Sequence, residues 1–463
     1  MAAATAGPRE ASKPLLIQAF VSRVLIIGQP HVDLAHSVQS SSASSSSGKR
    51  PRRLPRACWF VRGSIVHGII RARVMGVMLP IAVLIATHTC LATGMGVIVV
   101  RTVNALQSAV VIADESGGHV RILVRPGTYV LSKTLDITAP DVAIAGQVGE
   151  REHTIIQGDA MSSTARIGTL IRVTADHFEL SNLTLERSRY HLIQIAGEEG
   201  AEAPLIHDCI LRDSYEQMIK VSSSKAHPDT TSNGGVVENC LFEYTAGVGP
   251  QYYIGGIDAH GAKQWLVRHN TFRGIASPSH AVAEFAVHFW DRSANDVVER
   301  NVILNCDRGV GFGLDSAPNL AGVIRNNMIY HAANAAPFAD VGIALIDSPR
   351  SQVYNNTIYF EDTYPRAIEY RFPSTADILI ANNLLNRAIT ARGGATGTVV
   401  RNVTSARASW FVKAKAGDLH LGARVPEVVK AGIRIQGLVD DIDGRARPVA
   451  TDPDVGAHQQ TRN

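Results

Sequence analysis

The middle of the chain contains five ionisable side chains whose types suit acid–base chemistry: Lys220, Asp258, His260, His288 and Arg308. A histidine or lysine can accept a proton, and a lysine or arginine can neutralise a substrate carboxylate. An aspartate can hold or orient either partner. These roles are the ones that β-elimination on a uronate sugar requires, where a base removes the C5 proton beside an acidic group. We therefore predict that these five residues are catalytic.

Four further residues in the same region suit the binding of a sugar polymer: Trp290, Arg292, Gly311 and Gly313. A tryptophan offers a flat apolar face to a sugar ring, and the two glycines leave room for a ring to approach the backbone. Arg292 adds a second cation for an acidic sugar. We predict that these four residues bind the substrate.

A short repeated phrase indicates the elements that position these side chains. An apolar residue followed, after one or two further residues, by Asn or Asp recurs at Asn182, Asp208, Asn239, Asn270, Asn301, Asn327, Asn356, Asn383 and Asn402. The mean spacing of about 27 residues is too short for a propeller blade and matches one coil of a parallel β-helix. The phrases alternate apolar and polar residues, as a half-buried strand does. We expect all nine Asn or Asp side chains to stack in one hydrogen-bonded ladder.

A second strand follows each phrase, and its alignment predicts which side chains are neighbours. One outward-facing column runs Gln194, Lys220, Asp258, His288, Gly311, Ala344 and Glu369. The next runs Ala196, Ser222, His260, Trp290, Gly313, Ile346 and Arg371. Adjacent members of a column should lie about 4.8 Å apart. Long insertions at 223–235, 245–255 and 273–285 fall beside the ionisable members, which favours binding or chemistry there.

The ends of the chain differ in character from this repeat. Of the 45 Lys/Arg and 41 Asp/Glu residues, residues 1–73 hold 11 and 2, which leaves 34 and 39 for the remainder, a net charge of −5. Nucleic acid is therefore a poor partner for the folded part. We predict a disordered basic leader at 1–73, with a possible true start near Met75 or Met78. A signal peptide or signal anchor follows at 74–96, the β-helix spans 97–412, and a C-terminal extension or cap covers 413–463.

Several motifs resemble a known family. Arg125-Pro-Gly-Thr-Tyr129, the Asn-Asn phrases, and the ending Asp441-Ile-Asp443-Gly-Arg-Ala-Arg-Pro448 with Asp454-Val-Gly-Ala457 are similar to exported β-helix proteins of the pectate-lyase-like superfamily. This resemblance implies an all-β fold, a single-stranded right-handed parallel β-helix. Thr102, Leu106, Ala109, Val110 and Ala113 predict an N-terminal cap helix over its open edge. The chain loosely resembles the chondroitinase B and alginate lyase group, but no calcium-binding carboxylates or Lys/Arg catalytic pair of that group match here.

The residues favour a polysaccharide lyase, secreted or in the periplasm or cell envelope, that acts on an acidic polysaccharide. A glycoside hydrolase needs two carboxyl groups at a suitable separation, and only loop carboxylates such as Glu284, Asp291 or Asp315 could pair with Asp258. A non-catalytic glycan-binding or structural surface protein is the third reading. No cofactor is certain, although Asp291, Asp307 and Asp315 could hold Ca²⁺ if they converge. We expect a monomer with no membrane insertion beyond its N-terminal segment.

Five cysteines without a CxxC pair or a Cys/His cluster argue against structural zinc. Cys209 and Cys240 should stack inside the coil, either as small core residues or as a pair in an exported protein.

Overall fold

The computed structural model describes residues 95–460, with the exception of 280, 334, 336–338 and 362–363. The predicted leader at 1–73 lies outside the described residues. So does the predicted signal segment at 74–96, apart from its last two residues. Gly96 is the first residue of a strand and pairs with Val120. The described residues belong to one compact unit.

The chain winds as a right-handed parallel β-helix, which confirms the predicted fold class. Each coil adds one strand to each of three parallel sheets, in the order sheet I, sheet III, sheet II. The sequence had revealed sheets I and II only. Sheet III escaped detection because its strands follow those of sheet I after a turn of two residues.

Sheet I has twelve strands: Gly96–Val100, Val120–Val124, Val142–Gly146, Glu179–Ser181, Leu205–His207, Val236–Glu238, Leu266–Arg268, Val297–Glu299, Val323–Arg325, Gln352–Tyr354, Ile378–Ala381 and Gly397–Val400. Sheet II has ten: Leu135–Ile137, Ile171–Val173, Ile193–Ala196, Ile219–Ser222, Ile257–His260, Phe285–Trp290, Arg308–Phe312, Val341–Ile346, Arg366–Arg371 and Ala388–Arg392. Sheet III has ten: Gly127–Val130, Thr154–Gln157, Thr184–Ser188, Ile210–Ser214, Leu241–Glu243, Thr271–Arg273, Val302–Leu304, Met328–His331, Thr357–Phe360 and Leu384–Leu385.

Short elements complete the fold. Ser293–Ala294 pairs in parallel with Asn319–Leu320, and Phe411–Lys413 pairs antiparallel with Asp418–Leu421. Single 3₁₀ turns form at Gly197–Glu199, Ala408–Trp410 and Ala414–Ala416. The apolar residues of each coil point inward and build one continuous core along the helix axis, which fixes the opposite face of each strand outward.

An asparagine ladder runs inside the coils between sheets I and III, but it has six members rather than the predicted nine. Asn270, Asn301, Asn327, Asn356, Asn383 and Asn402 form it. From Asn270 to Asn383, the Nδ2 of each member donates to the Oδ1 of the next at 2.9–3.0 Å. Further along the column the equivalent positions are Cys240 and Cys209, which extend it with backbone bonds to Asn270 Oδ1 and Cys240 Sγ.

The other three predicted members occupy the position one residue earlier in the turn. Asn182, Asp208 and Asn239 have φ values of 55–56°, in the left-handed region that asparagine and aspartate tolerate. The same position in the later coils is also left-handed, for example at His269 and Asn326. The sequence phrase therefore merged two adjacent columns, one that turns the backbone and one that forms the ladder.

Both predicted stacked cysteines lie in the core as free thiols, and so does Cys306. Burial and the Cys209 contact raise the pKa of the Cys240 thiol well above its ordinary value.

The predicted cap helix is present at Val103–Glu115 and packs against the first strands of sheets I and II. Thr102 Oγ1 accepts a hydrogen bond from the Ala105 backbone N–H at 3.2 Å and begins the helix. The predicted apolar face of the helix is buried. None of the helices among the described residues combines the length and apolar character that a bilayer crossing needs.

The C-terminal extension packs on the outer face of sheet III. Leu419, Leu421 and Val455 share a buried cluster with Met328 and Tyr330 of that sheet. Arg447 is buried and donates to Asn326 Oδ1 at 2.9 Å and to the carbonyl oxygens of Asp440, Asp454, Gly456 and Ala457. The turn asparagines of the later coils therefore hold the extension as well as bend the chain.

Candidate functional site

The predicted columns on the outer face of sheet II are confirmed by the strand register. Lys220 pairs with Asp258, Asp258 with His288, and His260 with Trp290. The column continues through Gly311, Ala344 and Glu369 as predicted. The parallel register therefore brings together residues that are 32–40 positions apart in the chain.

Asp258 is the centre of the site. Its Oδ2 accepts a short hydrogen bond from the Lys220 ammonium group and lies 3.4 Å from His260 Nε2, and its Oδ1 accepts from Trp290 Nε1 at 2.7 Å. Lys220 Nζ also lies 2.7 Å from His260 Nε2. The side chains of Lys220 and Asp258 are 12% and 5% exposed, so this pair is not a surface salt bridge.

The charge state of Asp258 follows from these contacts. Burial alone would raise its pKa, but the Lys220 charge and the His260 hydrogen bond outweigh burial and hold the pKa well below its usual value. Asp258 is thus a fixed anion beside Lys220 and His260.

His288 is a buried neutral histidine. Burial is the main cause that lowers its pKa to about 4. Its Nε2 is 3.0 Å from the Gly313 carbonyl oxygen, which can only accept, so Nε2 carries the hydrogen. The lone pair on Nδ1 is buried without a hydrogen-bond partner and faces Asp258 Oδ1 at 3.8 Å and Glu284 Oε2 at 3.9 Å.

The site includes two carboxylates that the sequence reasoning did not place in it. Glu284 and Glu216 each lie four residues before a column member, His288 and Lys220 respectively. Burial raises the pKa of both, and the charge of Asp258 adds to the rise at Glu284. Both precede the strands of sheet II, Ile219–Ser222 and Phe285–Trp290, so the period-two alignment of the strands did not reach them.

Tyr253 and His191 complete the surroundings of the site and were also missed. Burial raises the pKa of Tyr253, and the charges of Lys220 and Asp258 lie close enough to affect it. Tyr253 belongs to the predicted insertion 245–255, and its side chain is 40% exposed. Burial and then the Lys220 charge lower the pKa of His191 to about 4. No spacing signal in the sequence pointed to these two residues.

The two predicted arginines lie outside the hydrogen-bonded centre. Arg308 Nε binds Asp340 Oδ2 at 2.6 Å, and its guanidinium lies 5.2 Å from the centre of the Phe285 ring. Arg292 lies 3.5 Å from Asp291. Arg308 is close enough to influence the pKa of His288 but does not touch the Lys220–Asp258–His260 cluster.

The roles predicted for the two glycines need correction. At Gly311 the ring of Phe285 fills the space where a sugar was expected, since a Cβ there would lie 2.6 Å from that ring. At Gly313 φ is 75°, and a Cβ would overlap the carbonyl oxygen of Ile346. Both glycines are therefore explained by packing, and Gly313 also supplies the carbonyl that His288 binds.

Trp290 is held between the two histidines rather than presented as an open platform. Its ring stacks on His288 with centroids 5.6 Å apart and meets His260 edge-on at 4.1 Å. Its indole N–H is occupied by Asp258.

The three aspartates considered for calcium do not converge. Asp307 Oδ2 accepts two backbone N–H bonds at 2.9 Å, and burial raises its pKa to about 6. Asp291 accepts a hydrogen bond from Ser223 Oγ at 2.7 Å. Among the described residues, the one acidic and histidine group close enough to share a metal is Asp441, Asp443 and His458, in the C-terminal extension.

Comparison with known proteins gives the family. The family model described as "right handed beta helix region" matches residues 170–405. The alginate lyase from Paenibacillus sp. str. FPU-7 is 13% identical, with a TM-score of 0.41 over 66% of this chain and 97% of that one. The tailspike protein of E. coli bacteriophage HK620, solved with a pentasaccharide, is 13% identical, with a TM-score of 0.44 over 65% and 61%. Pectate lyase Pel9A is 15% identical, with a TM-score of 0.41 over 74% and 88%. No curated protein matches the sequence significantly.

Proposed function

Because this chain belongs to the right-handed beta helix family, we propose that sheet II carries a carbohydrate-active site, most simply that of a polysaccharide lyase. The substrate would be an acidic, uronate-containing polysaccharide, and the protein would act outside the cytoplasm. Family membership supplies the scaffold but no activity. The proposal rests on the side chains of the site.

The observation that carries the proposal is the cluster of Lys220, Asp258 and His260. Lys220 Nζ and His260 Nε2 lie 2.7 Å apart, next to a fixed anion. An elimination needs a neutral base and a cation at the same place. This pair supplies both, because one member can accept a proton while the other remains charged.

In the proposed reaction, the substrate carboxylate binds against the cationic member of the Lys220–His260 pair. This contact stabilises the negative charge that develops when the C5 proton leaves. The neutral member of the pair accepts that proton, and Asp258 stabilises the cation that forms. We assign to Tyr253, whose raised pKa keeps its hydroxyl protonated, the protonation of the departing glycosidic oxygen.

His288 has a positioning role in this scheme. Its side chain is 2% exposed, too buried to touch a polymer. It stacks on Trp290 and lies beside Asp258, so it fixes the geometry of the residues that react.

A glycoside hydrolase is the second candidate because of Glu284. Asp258 and Glu284 both lie within 3.9 Å of His288 Nδ1. The distance between Asp258 Oδ1 and Glu284 Oε2 is therefore less than twice 3.9 Å. This limit is compatible with the roughly 5–9.5 Å that separates the two carboxyl groups of glycoside hydrolases. Their pKa values are shifted in opposite directions, as an acid and a base require. We rank this reading second because both oxygens of Asp258 are already occupied by donors, which leaves neither free for a nucleophile or a base.

The test is to incubate the purified protein with a panel of polyuronates and glycosaminoglycans, with and without Ca²⁺. Ultraviolet absorbance detects the unsaturated uronate that a lyase produces, and a reducing-end assay detects cleavage of either kind. We expect both signals to rise together on an acidic polymer. New reducing ends without the absorbance would establish the hydrolase, and the absence of both signals would contradict either enzyme and favour a binding protein.

A further inference from the structure

Three arginines surround one buried carboxylate farther along sheet II. Glu369 Oε1 and Oε2 accept hydrogen bonds from Arg392 Nη1 at 2.9 and 3.0 Å. Arg371 Nε lies 3.5 Å and Arg366 Nε 3.6 Å from the same carboxylate. We call these four residues the arginine patch.

The arginine patch has more positive than negative charge. The Glu369 side chain is 8% exposed, whereas those of Arg366, Arg371 and Arg392 are 30%, 34% and 43% exposed. The carboxylate therefore lies beneath a rim of guanidinium groups that reach solvent. Besides Glu369, the carboxylate close enough to Arg366 to affect its pKa is Asp340, and Asp340 is bonded to Arg308.

Two of the guanidinium groups are held in place by aromatic rings. Arg371 lies 4.8 Å from the centre of the Phe372 ring, and Arg366 lies 5.9 Å from that of Tyr364. Arg366 also donates to the Tyr364 hydroxyl at 3.4 Å. A planar guanidinium that is already oriented loses little freedom when it binds a planar anion.

The patch shares a face with the candidate site. Glu369 belongs to the same outward column as Asp258, four strands away through His288, Gly311 and Ala344. Four strand spacings correspond to about 19 Å. One extended polymer lying along the column would contact both places.

We infer that the arginine patch is a second anion-binding subsite, which takes a carboxylate of the same acidic polysaccharide several sugars away from the reacting one. This inference rests on the proposed function and adds to it a length requirement. Arg371 and Arg392 bind the distant carboxylate, and Glu369 keeps their guanidinium groups apart and oriented.

The test measures binding of uronate dimers and hexamers, prepared from pectate and from alginate, by calorimetry at low and high salt. The His260→Ala variant is used so that the oligomers are not cleaved, with the wild type as a reference. The double substitution Arg371→Gln/Arg392→Gln is then introduced into the His260→Ala variant. Arg268→Gln is the matched control, because Arg268 is 39% exposed and pairs with one carboxylate, Glu238, on sheet I. Arg392→Lys keeps the positive charge but loses the planar guanidinium group, which can bind both oxygens of a carboxylate at once.

We expect the double variant to bind the hexamer about tenfold more weakly or worse, because it loses the hydrogen bonds of two charged groups to the distant carboxylate. Dimer binding and the control should change less than twofold. The loss should shrink at high salt, and Arg392→Lys should lie between wild type and the double variant.

Two results would overturn the inference in distinguishable ways. Hexamer binding that is unchanged in a folded double variant would remove the subsite and leave the proposed function standing. Failure of both wild type and His260→Ala to bind any acidic hexamer would contradict the proposed function and the subsite together.

Discussion

At the scale of single residues, the burial of Lys220 and Asp258 has a consequence for stability. Removing one partner of a buried ion pair leaves the other charge uncompensated, whereas removing both does not. We expect Lys220→Met to lower the free energy of unfolding by about 3 kcal/mol, and Lys220→Met/Asp258→Leu to recover most of the loss. Denaturant unfolding monitored by circular dichroism measures both values.

The control for this prediction is Arg268→Met, which breaks a more exposed pair and should cost less than about 1 kcal/mol. Equal losses for Lys220→Met and Arg268→Met would contradict the buried character of the pair.

His288 makes stability depend on pH. Its pKa is about 4 in the folded protein and 6.5 in an ordinary environment. Between these values the unfolded chain binds a proton that the folded protein does not, so acid favours unfolding. We expect this residue to remove about 3 kcal/mol of stability as the pH falls through that window. The free energy of unfolding, measured at a series of pH values, should depend less on pH in His288→Gln than in the wild type. An unchanged pH dependence would contradict the assignment of His288 as a buried neutral histidine.

The sequence predicted which residues of the site share a column, because strand register requires only period-two alternation and equal spacing. Lys220, Asp258 and His288 were placed correctly for this reason. The contents of the space above the sheet could not be predicted in the same way. Phe285 covers Gly311 through a ring orientation that no spacing encodes, and Tyr253 comes from a loop.

At the scale of elements, the asparagine ladder should stabilise its coils unequally. Asn327 is fully buried and bonds to members on both sides, whereas Asn402 ends the ladder and is partly exposed. Asn327→Ala leaves several buried partners unsatisfied, at about 1–3 kcal/mol each. We expect a loss of at least about 2 kcal/mol there and a smaller loss for Asn402→Ala. Comparable losses in denaturant unfolding would argue against the ladder.

The turn column beside the ladder offers a backbone prediction. Arg401 is exposed with φ of 54°, a conformation that glycine adopts freely and β-branched residues avoid. We expect Arg401→Gly to keep or raise the melting temperature and Arg401→Val to lower the unfolding free energy by about 1–2 kcal/mol. The reverse order would contradict the left-handed assignment.

These two columns show what the sequence could and could not resolve about the elements. The recurring Asn identified the coil and its spacing, yet both the turn and the ladder favour asparagine for different physical reasons. Asn239 and Asn270 therefore looked equivalent, although one bends the chain and the other bonds to its neighbours.

At the scale of the whole molecule, Arg447 joins the C-terminal extension to the coils. Its guanidinium is buried, and burial lowers its pKa to about 10 despite the nearby aspartates. Arg447→Met would leave the Asn326 side chain and several carbonyl oxygens without their donor. We expect limited proteolysis to remove the extension from this variant while the coils resist. Arg424→Met, at an exposed position, is the control, and equal resistance of the two variants would contradict this role.

One comparison tests most directly whether the Lys220–Asp258–His260 cluster on sheet II is a lyase site. The initial rate of ultraviolet absorbance increase on an acidic polysaccharide is measured for wild type, His260→Ala and His207→Ala. His207 is a matched control because it is 23% exposed on sheet I, against 20% for His260. Loss of a proton-transfer group lowers a rate by about 100-fold or more. We predict that loss for His260→Ala alone, whereas a wild-type rate in a folded His260→Ala protein would contradict the assignment.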